Sequence, residues 1–300
     1  MVNLIASIFE MDDITQYKEA GAHSIIMGLP FFSVRATQVF AKAEIKEARA
    51  ITLKLDMNLY VLMNRMFCEE ELKQAKEMLV FLNEIKVDGI YFGDEAILQF
   101  ASELNMTSRL IYNPDTLITN AMDARYYLSQ GVCLVSISKE ITLADMIYIG
   151  KQNPNQVEVN IHGRLNMMHS KRKLLTNYFD HLGMEYQVDG KKTLRLKEVT
   201  RNDLMPIIED DLGTHIFSGF TLVSFEEIKQ LVENGILHLR IEGLFHDANY
   251  VKEALHLYTQ ILNGQSDPHQ IYLDYQKQYP QDHIDTGFFY QKTSLIKEDL

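Results

Sequence analysis

Eight short β-branched or aliphatic runs, separated by amphipathic stretches, constrain this chain more than any other feature. They are Asn3 to Phe9, Ser24 to Gly28, Leu59 to Asn64, Gly89 to Gly93, Arg109 to Asn113, Val132 to Ser138, Val157 to Ile161 and Leu237 to Glu242. Strand runs that alternate with helical patterns read as βαβ units, whose strands lie parallel, and eight such units suffice to close a sheet on itself. The expected architecture is α/β, a (β/α)8 TIM-like barrel. The stretches between the runs carry the matching period: Leu72, Ala75, Met78, Leu79, Leu82 and Ile85 make one apolar stripe, and Val251, Ala254, Leu255, Tyr258, Ile261 and Leu262 make another. Glu19-Ala20-Gly21-Ala22, Ser129-Gln130-Gly131-Val132 and Glu233-Asn234-Gly235-Ile236 each put glycine where a helix would end in a left-handed residue.

A chain of 300 residues with 46% hydrophobic content can fill such a barrel, which typically needs about 250 residues. The surplus sits in one place. The seventh and eighth runs are about 75 residues apart, where a helix and its loops would need far fewer. Within that gap, Met184 to Val188 and Thr193 to Val199 read as a hairpin about Asp189-Gly190. Met205 to Ile208 and Thr214 to Phe217 read as two further strands about Asp211-Leu212-Gly213. The domain expectation is therefore a barrel over 1–163 and 223–264, an inserted basic subdomain over 164–222, containing a helix and antiparallel strands, and an aromatic tail over 265–300 packed on the barrel.

Formal charge is −12, which speaks against nonspecific nucleic-acid binding by the whole surface. The insertion is the exception. Between Arg164 and Arg201, nine Lys or Arg (164, 171, 172, 173, 191, 192, 195, 197, 201) face four Asp or Glu (180, 185, 189, 198). A solvated basic face and a surface for a polyanion are both open readings. No run reaches the roughly 18 apolar residues of a membrane helix, and the N-terminus has no basic leader pattern, so a cytoplasmic, membrane-free protein is expected. Cys68 and Cys133 form no disulfide framework and no paired-thiolate motif.

Residues that end barrel strands on the C-terminal side share one pocket, so position weighs more than residue type. Arg35, Asn64, Asp94, Asn113, Lys139, Glu140, His162 and Glu242 are the candidates. His162 precedes Gly163, which would leave room for a ligand, and Glu242 ends an apolar strand, which is costly for a carboxylate without a partner. Catalysis is expected from His162, Glu242, Glu140 and Asn64, and substrate binding from Arg35, Asp94, Asn113 and Lys139. No metal is expected, because His162 and His169 are seven apart and no Cys lies near. Ser170 to Lys173 formally spells Ser-x-x-Lys, but inside a cationic run it reads as a phosphate-contacting or plain surface segment.

Val157-Glu158-Val159-Asn160-Ile161-His162-Gly163-Arg164-Leu165-Asn166, and Leu239-Arg240-Ile241-Glu242-Gly243 followed by Asn249-Tyr250-Val251, resemble two signature segments of the collagenase-like peptidase family U32. Phe32-Ser33-Val34-Arg35, Asn64, Lys139 to Leu143 and Thr286-Gly287-Phe288 extend the resemblance over nearly the whole chain. It implies either proteolysis or oxygen-independent hydroxylation, notably of tRNA wobble uridine with prephenate as hydroxyl donor. The short form resembles the smaller partner of a paired set in Gram-positive bacteria. Two cysteines of the family's iron–sulfur set correspond to Asn166 and Lys173, so no cluster is expected in this chain and any cluster would sit in a partner. Leu244 stands where the family has Arg. Three readings follow: a tRNA-hydroxylation protein contacting RNA through Arg164, Lys171, Arg172 and Lys173, a peptidase using Glu140 and Glu242, or a noncatalytic subunit. A homo-oligomer or a heteromer with a paralogous family member is expected.

Overall fold

The computed structural model describes residues 1–197, 199 and 204–291. Seven parallel strands run in chain order, β1 (Asn3–Ser7), β2 (Ser24–Gly28), β3 (Asn58–Met63), β4 (Gly89–Phe92), β5 (Leu110–Tyr112), β6 (Leu134–Ser136) and β7 (Val157–Gly163). After the insertion, which contributes β8 (Asn166–Ser170), β9 (Arg195–Lys197), β10 (Leu204–Asp210), β11 (Gly213–Phe217) and β12 (Thr221–Val223), comes β13 (His238–Ile241). That strand pairs in parallel with both β7 and β1, which closes the eight-stranded barrel.

The helices α1 (Asp13–Ala20), α2 (Lys42–Lys54), α3 (Leu72–Glu84), α4 (Glu95–Glu103), α5 (Ala121–Ser129) and α6 (Leu143–Gln152) follow the first six strands. The insertion adds α7 (Leu174–His181), and α8 (Ile228–Glu233), α9 (Ala248–Leu262) and α10 (Pro268–Gln278) complete the outer layer. Ala75, Met78, Leu79 and Leu82 bury the predicted stripe of α3, and Val251, Ala254, Leu255, Tyr258 and Ile261 that of α9. Each fully buried aliphatic side chain stabilises the layer by about 1.5–3 kcal/mol before entropy is counted. Gly21, Gly131 and Gly235 all have positive φ at their helix ends, as their positions predict.

Strand alternation sorts the barrel side chains. Ile5, Ile26, Tyr60, Leu62, Tyr91, Ile111 and Leu134 fill the interior, while the intervening residues pack under the helices. Over the C-terminal mouth the insertion forms a second, four-stranded antiparallel sheet in the order β8-β11-β10-β9. The expected hairpin differs. Residues 184–187 form no strand, Asp189 makes only an isolated bridge to Glu209, and β9 pairs with β10. One edge strand of the sheet is β8, which the sequence reading does not assign as a strand. Glu198 and Arg201, counted in the charge balance, lie outside the described residues, as does the end of the tail beyond residue 291. The described tail consists of α10 and β14 (Ile284–Asp285), which pairs in parallel with β12.

Candidate functional site at the barrel mouth

The deepest polar layer comes from inward-facing positions of β7 and β13. Glu158, with no solvent exposure, accepts from the Tyr91 hydroxyl at 2.5 Å and from Ser136 at 3.0 Å, and lies 3.8 Å from the Arg240 guanidinium. Arg240 also pairs with Glu242 and lies over the Tyr91 ring, its Cζ 4.8 Å from the centroid. Burial pushes the Glu158 carboxyl upward despite Arg240 and two hydroxyl donors. Glu242 is therefore an ion-pair partner at the top of the barrel interior.

One layer above, the ends of β2, β5 and β6 meet. Asp115 pairs with Arg35 and, at 3.2 Å, with Lys139. Burial would raise the Asp115 carboxyl, but the two cations overrule it and hold it well below the usual carboxylate range. Arg35 and Asp115 are both in the left-handed backbone region, at φ 58° and 66°. Such a conformation costs a non-glycine residue about 1–2 kcal/mol, and strain of this kind gathers at ligand clamps. The triad has two cations, one anion and side-chain exposures of 10–14%, so a net positive charge sits at the mouth.

The inserted sheet supplies the roof. His169 on β8 and His215 on β11 are cross-strand partners with stacked rings 6.4 Å apart. Between roof and barrel lies a cavity of about 220 Å³ lined by Arg35, Asn64, Asn113, Asp115, His169, Lys171 and His215, among others. A second cavity of about 170 Å³, toward Lys192 and Asp210, shares Arg35 and His215 as its wall. Ile208, Phe217 and Leu244 clamp the roof to the rim.

The structure redistributes the predicted residues. Arg35, Asn64 and Asn113 line the mouth cavity, and Lys139 reaches it through Asp115. Asn64 also pins the Arg35 loop, accepting from the Val34 amide at 3.0 Å. Asp94 does not join them: its carboxylate caps α4 through the Ala96 amide at 2.9 Å and holds the Phe67 amide at 2.8 Å. Glu140 is half-buried, and burial raises its carboxyl ahead of the opposing pull of Lys139. Lys171, Arg172 and Lys173 are exposed, the last paired with Asp211 at 2.7 Å, whereas Arg164 is half-buried and donates to the Ser218 carbonyl at 2.9 Å.

His162 is the main correction. A bulge on β7 sets Asn160 opposite Arg240 but His162 opposite Ile241, so two residues face one and the ring leaves the inward row. It lies with 0% exposure among Tyr250, Tyr258, Tyr275 and Phe225 under α9 and α10. Its Nε2 bonds Tyr250 at 3.0 Å and Tyr275 at 3.3 Å, and its Nδ1 bonds Tyr258 at 3.3 Å. Burial, with a small push from His246, lowers its pKa to about 3, so the ring is neutral. The room beside Gly163 is taken by backbone: a Cβ there would lie 2.3 Å from the Glu242 carbonyl oxygen. Asp115, His169 and His215 escape the sequence reading. Asn113-Pro114-Asp115 is a turn signal one step past a strand end, which could have pointed to Asp115, but nothing local marks the two histidines.

The iron–sulfur set that the resemblance implies does not fit this chain. Asn166 is buried in β8 and Lys173 is an exposed ion-pair partner, and neither offers a thiolate. Cys133 precedes β6, at the N-terminal end of the barrel, and Cys68 follows β3 at the opposite end, so the two cannot share a cluster. Among the described residues no group of three or more His, Cys, Asp or Glu is arranged to hold a metal ion.

The family model described as peptidase family U32 matches residues 10–299. The chain is similar to tRNA hydroxylation protein P2 of Bacillus subtilis (strain 168), at 27% identity over 94% of this chain and 95% of that protein. An uncharacterized protease of Methanocaldococcus jannaschii is 26% identical over 97% of this chain and 74% of its own length. A third relative, tRNA hydroxylation protein P1 of the same Bacillus strain, is 20% identical over 81% of this chain, which spans only 59% of it.

Proposed function

The chain belongs to peptidase family U32, and from that premise we propose that it takes part in tRNA hydroxylation, at carbon 5 of the wobble uridine and with prephenate as hydroxyl donor. The observation that carries this reading is the roofed, net-cationic cavity at the mouth, whose roof is continuous with the exposed Lys171 and Arg172. An enzyme that modifies a base takes it out of the stack into a closed pocket and holds the flanking phosphates outside it. Here the triad of Arg35, Asp115 and Lys139 offers charge for a small acidic donor, Asn64 and Asn113 offer amides at the wall, and Glu140 is a half-buried carboxyl whose hold on a proton is strengthened by burial.

Peptide hydrolysis draws no support from the site. Glu242, half of the carboxylate pair that a metal-free peptidase would use, is engaged by Arg240. The proposed role includes action beside a paralogue, since two related Bacillus subtilis proteins, P1 and P2, share the tRNA hydroxylation name. No helix among the described residues is long and apolar enough to cross a membrane.

The deciding experiment compares tRNA nucleosides from cells lacking this gene, its paralogues, or both, with complemented cells. Loss of wobble 5-hydroxyuridine restored by the wild-type gene is expected. Unchanged nucleosides in the combined deletion would remove the reading.

A further inference from the structure

We propose that His215 is a ligand-contacting residue of the mouth cavity, bonding through its imidazole to a carboxylate-bearing small molecule whose charge is met by Arg35. This rests on the reading of the mouth as the place where the acidic donor binds, and it adds a residue that neither the signature segments nor the comparisons identify.

The argument starts from an anomaly. Buried polar atoms in folded proteins have hydrogen-bond partners, because leaving one without costs the full desolvation of the group. His215 is 3% exposed, yet neither ring nitrogen has a partner among the described residues. The fold does not need a histidine there for packing. Its β11 neighbour Phe217 and its cross-strand partner Ile208 show that this face of the roof accepts apolar residues and uses them to grip the rim. A polar ring in that row, lining both cavities beside Arg35, is explained by a partner that arrives from outside.

The chemistry of the partner follows from the neighbours. Burial first, then the nearby Arg35 and His169, lower the His215 pKa to about 3, so the ring is neutral and offers one N–H donor and one acceptor. Arg35 spends one nitrogen on Asp115 and belongs to a triad with an uncompensated positive charge. An anionic oxygen between Arg35 and the His215 N–H would satisfy both. A carboxylate provides the second oxygen that a neutral carbonyl lacks. Glu209, on the adjacent β10, is unavailable for this role: its carboxylate holds the first amides of α7 on the other side of the roof.

The test uses the purified full-length chain and variants His215→Phe, which keeps an aromatic ring without polar atoms, and His215→Asn, which restores a donor and an acceptor. Prephenate, phenylpyruvate and citrate are titrated by calorimetry, and melting is followed without ligand. The expected result is that at least one acid binds the wild type, that His215→Phe weakens it about tenfold, the worth of one ordinary hydrogen bond, and that His215→Asn recovers part of the loss. Without ligand, His215→Phe should melt no lower than wild type, because it removes an unsatisfied polar group. Equal binding by wild type and His215→Phe, no binding of any acid by wild type, or a fall in melting temperature for ligand-free His215→Phe would each overturn the proposal. Citrate or phenylpyruvate binding that depends on His215, with prephenate ignored, would sustain the residue's role and count against prephenate as donor.

Discussion

His162 illustrates how a residue at a strand end can serve the packing beneath the helices and not the pocket. With three tyrosine hydroxyls around a neutral ring, it joins β7 to α9 and α10. Its folded pKa of about 3 lies below the ordinary 6.5, so the unfolded chain binds a proton that the folded one refuses. The stability this contributes is complete above about pH 6.5 and is lost as pH falls toward 3. His246, lowered to about 4 mainly by burial, acts in the same direction. Urea midpoints should therefore fall between about pH 7.5 and about pH 5, and His162→Gln should lower the midpoint at neutral pH while flattening that dependence. A midpoint that rises on acidification would contradict the buried neutral rings. Beside it, Gly163→Ala forces a Cβ onto the Glu242 carbonyl at a φ of 107° and should cost about 3 kcal/mol in equilibrium unfolding. A loss below about 0.5 kcal/mol would mean the two strands are not apposed as described.

At the scale of elements, the roof depends on α7, a helix with no fully buried residue of its own. Glu209 compensates by accepting the Leu175 and Thr176 amides at 2.6 and 3.0 Å, and the Thr214 hydroxyl at 2.8 Å. A carboxylate at a helix N-terminus also meets the positive end of the backbone dipole. Glu209→Gln should cost about 2 kcal/mol and show as faster amide exchange in α7 with the barrel helices unchanged. Uniform exchange changes across the barrel would argue that roof and barrel unfold together.

How much was legible also differs by element. The eight barrel strands and the helix stripes were readable because their periods are set by local geometry and repeated eight times. β8 was not, since Asn166 to Ser170 pairs with a strand more than forty residues away and carries no β-branched run to mark it. Rim positions Arg35, Asn64, Asn113 and Lys139 followed from the rule that strand ends face the mouth. The same rule misplaced His162, because a one-residue bulge reverses the facing of a side chain and leaves no mark in the sequence. Asp94 failed for a different reason: a residue between strand and helix can cap the helix as readily as line a pocket.

Across the whole molecule, the net charge of −12 lies outside the roof: residues 164–222 hold nine Lys or Arg against eight Asp or Glu, so the basic character of the roof is local to clusters such as Lys171, Arg172 and Lys173. Replacing Lys171, Arg172 and Lys173 together by Ala should weaken tRNA binding and reduce the slope of log affinity against log salt by about 2, since Lys173 already has Asp211 as partner. An unchanged slope would leave this cluster as solvated surface.

The roof also joins the barrel in a way that matters for descent. Its two ends are neighbours: Gly163 pairs with Leu222, and Leu165 is bonded to Ser218 at 2.8 Å. A subdomain entered and left through adjacent residues is a cassette, which can be lengthened, exchanged or lost between related genes while the eight strands beneath keep their register. Lineages sharing this barrel are thus free to differ in what they cover it with.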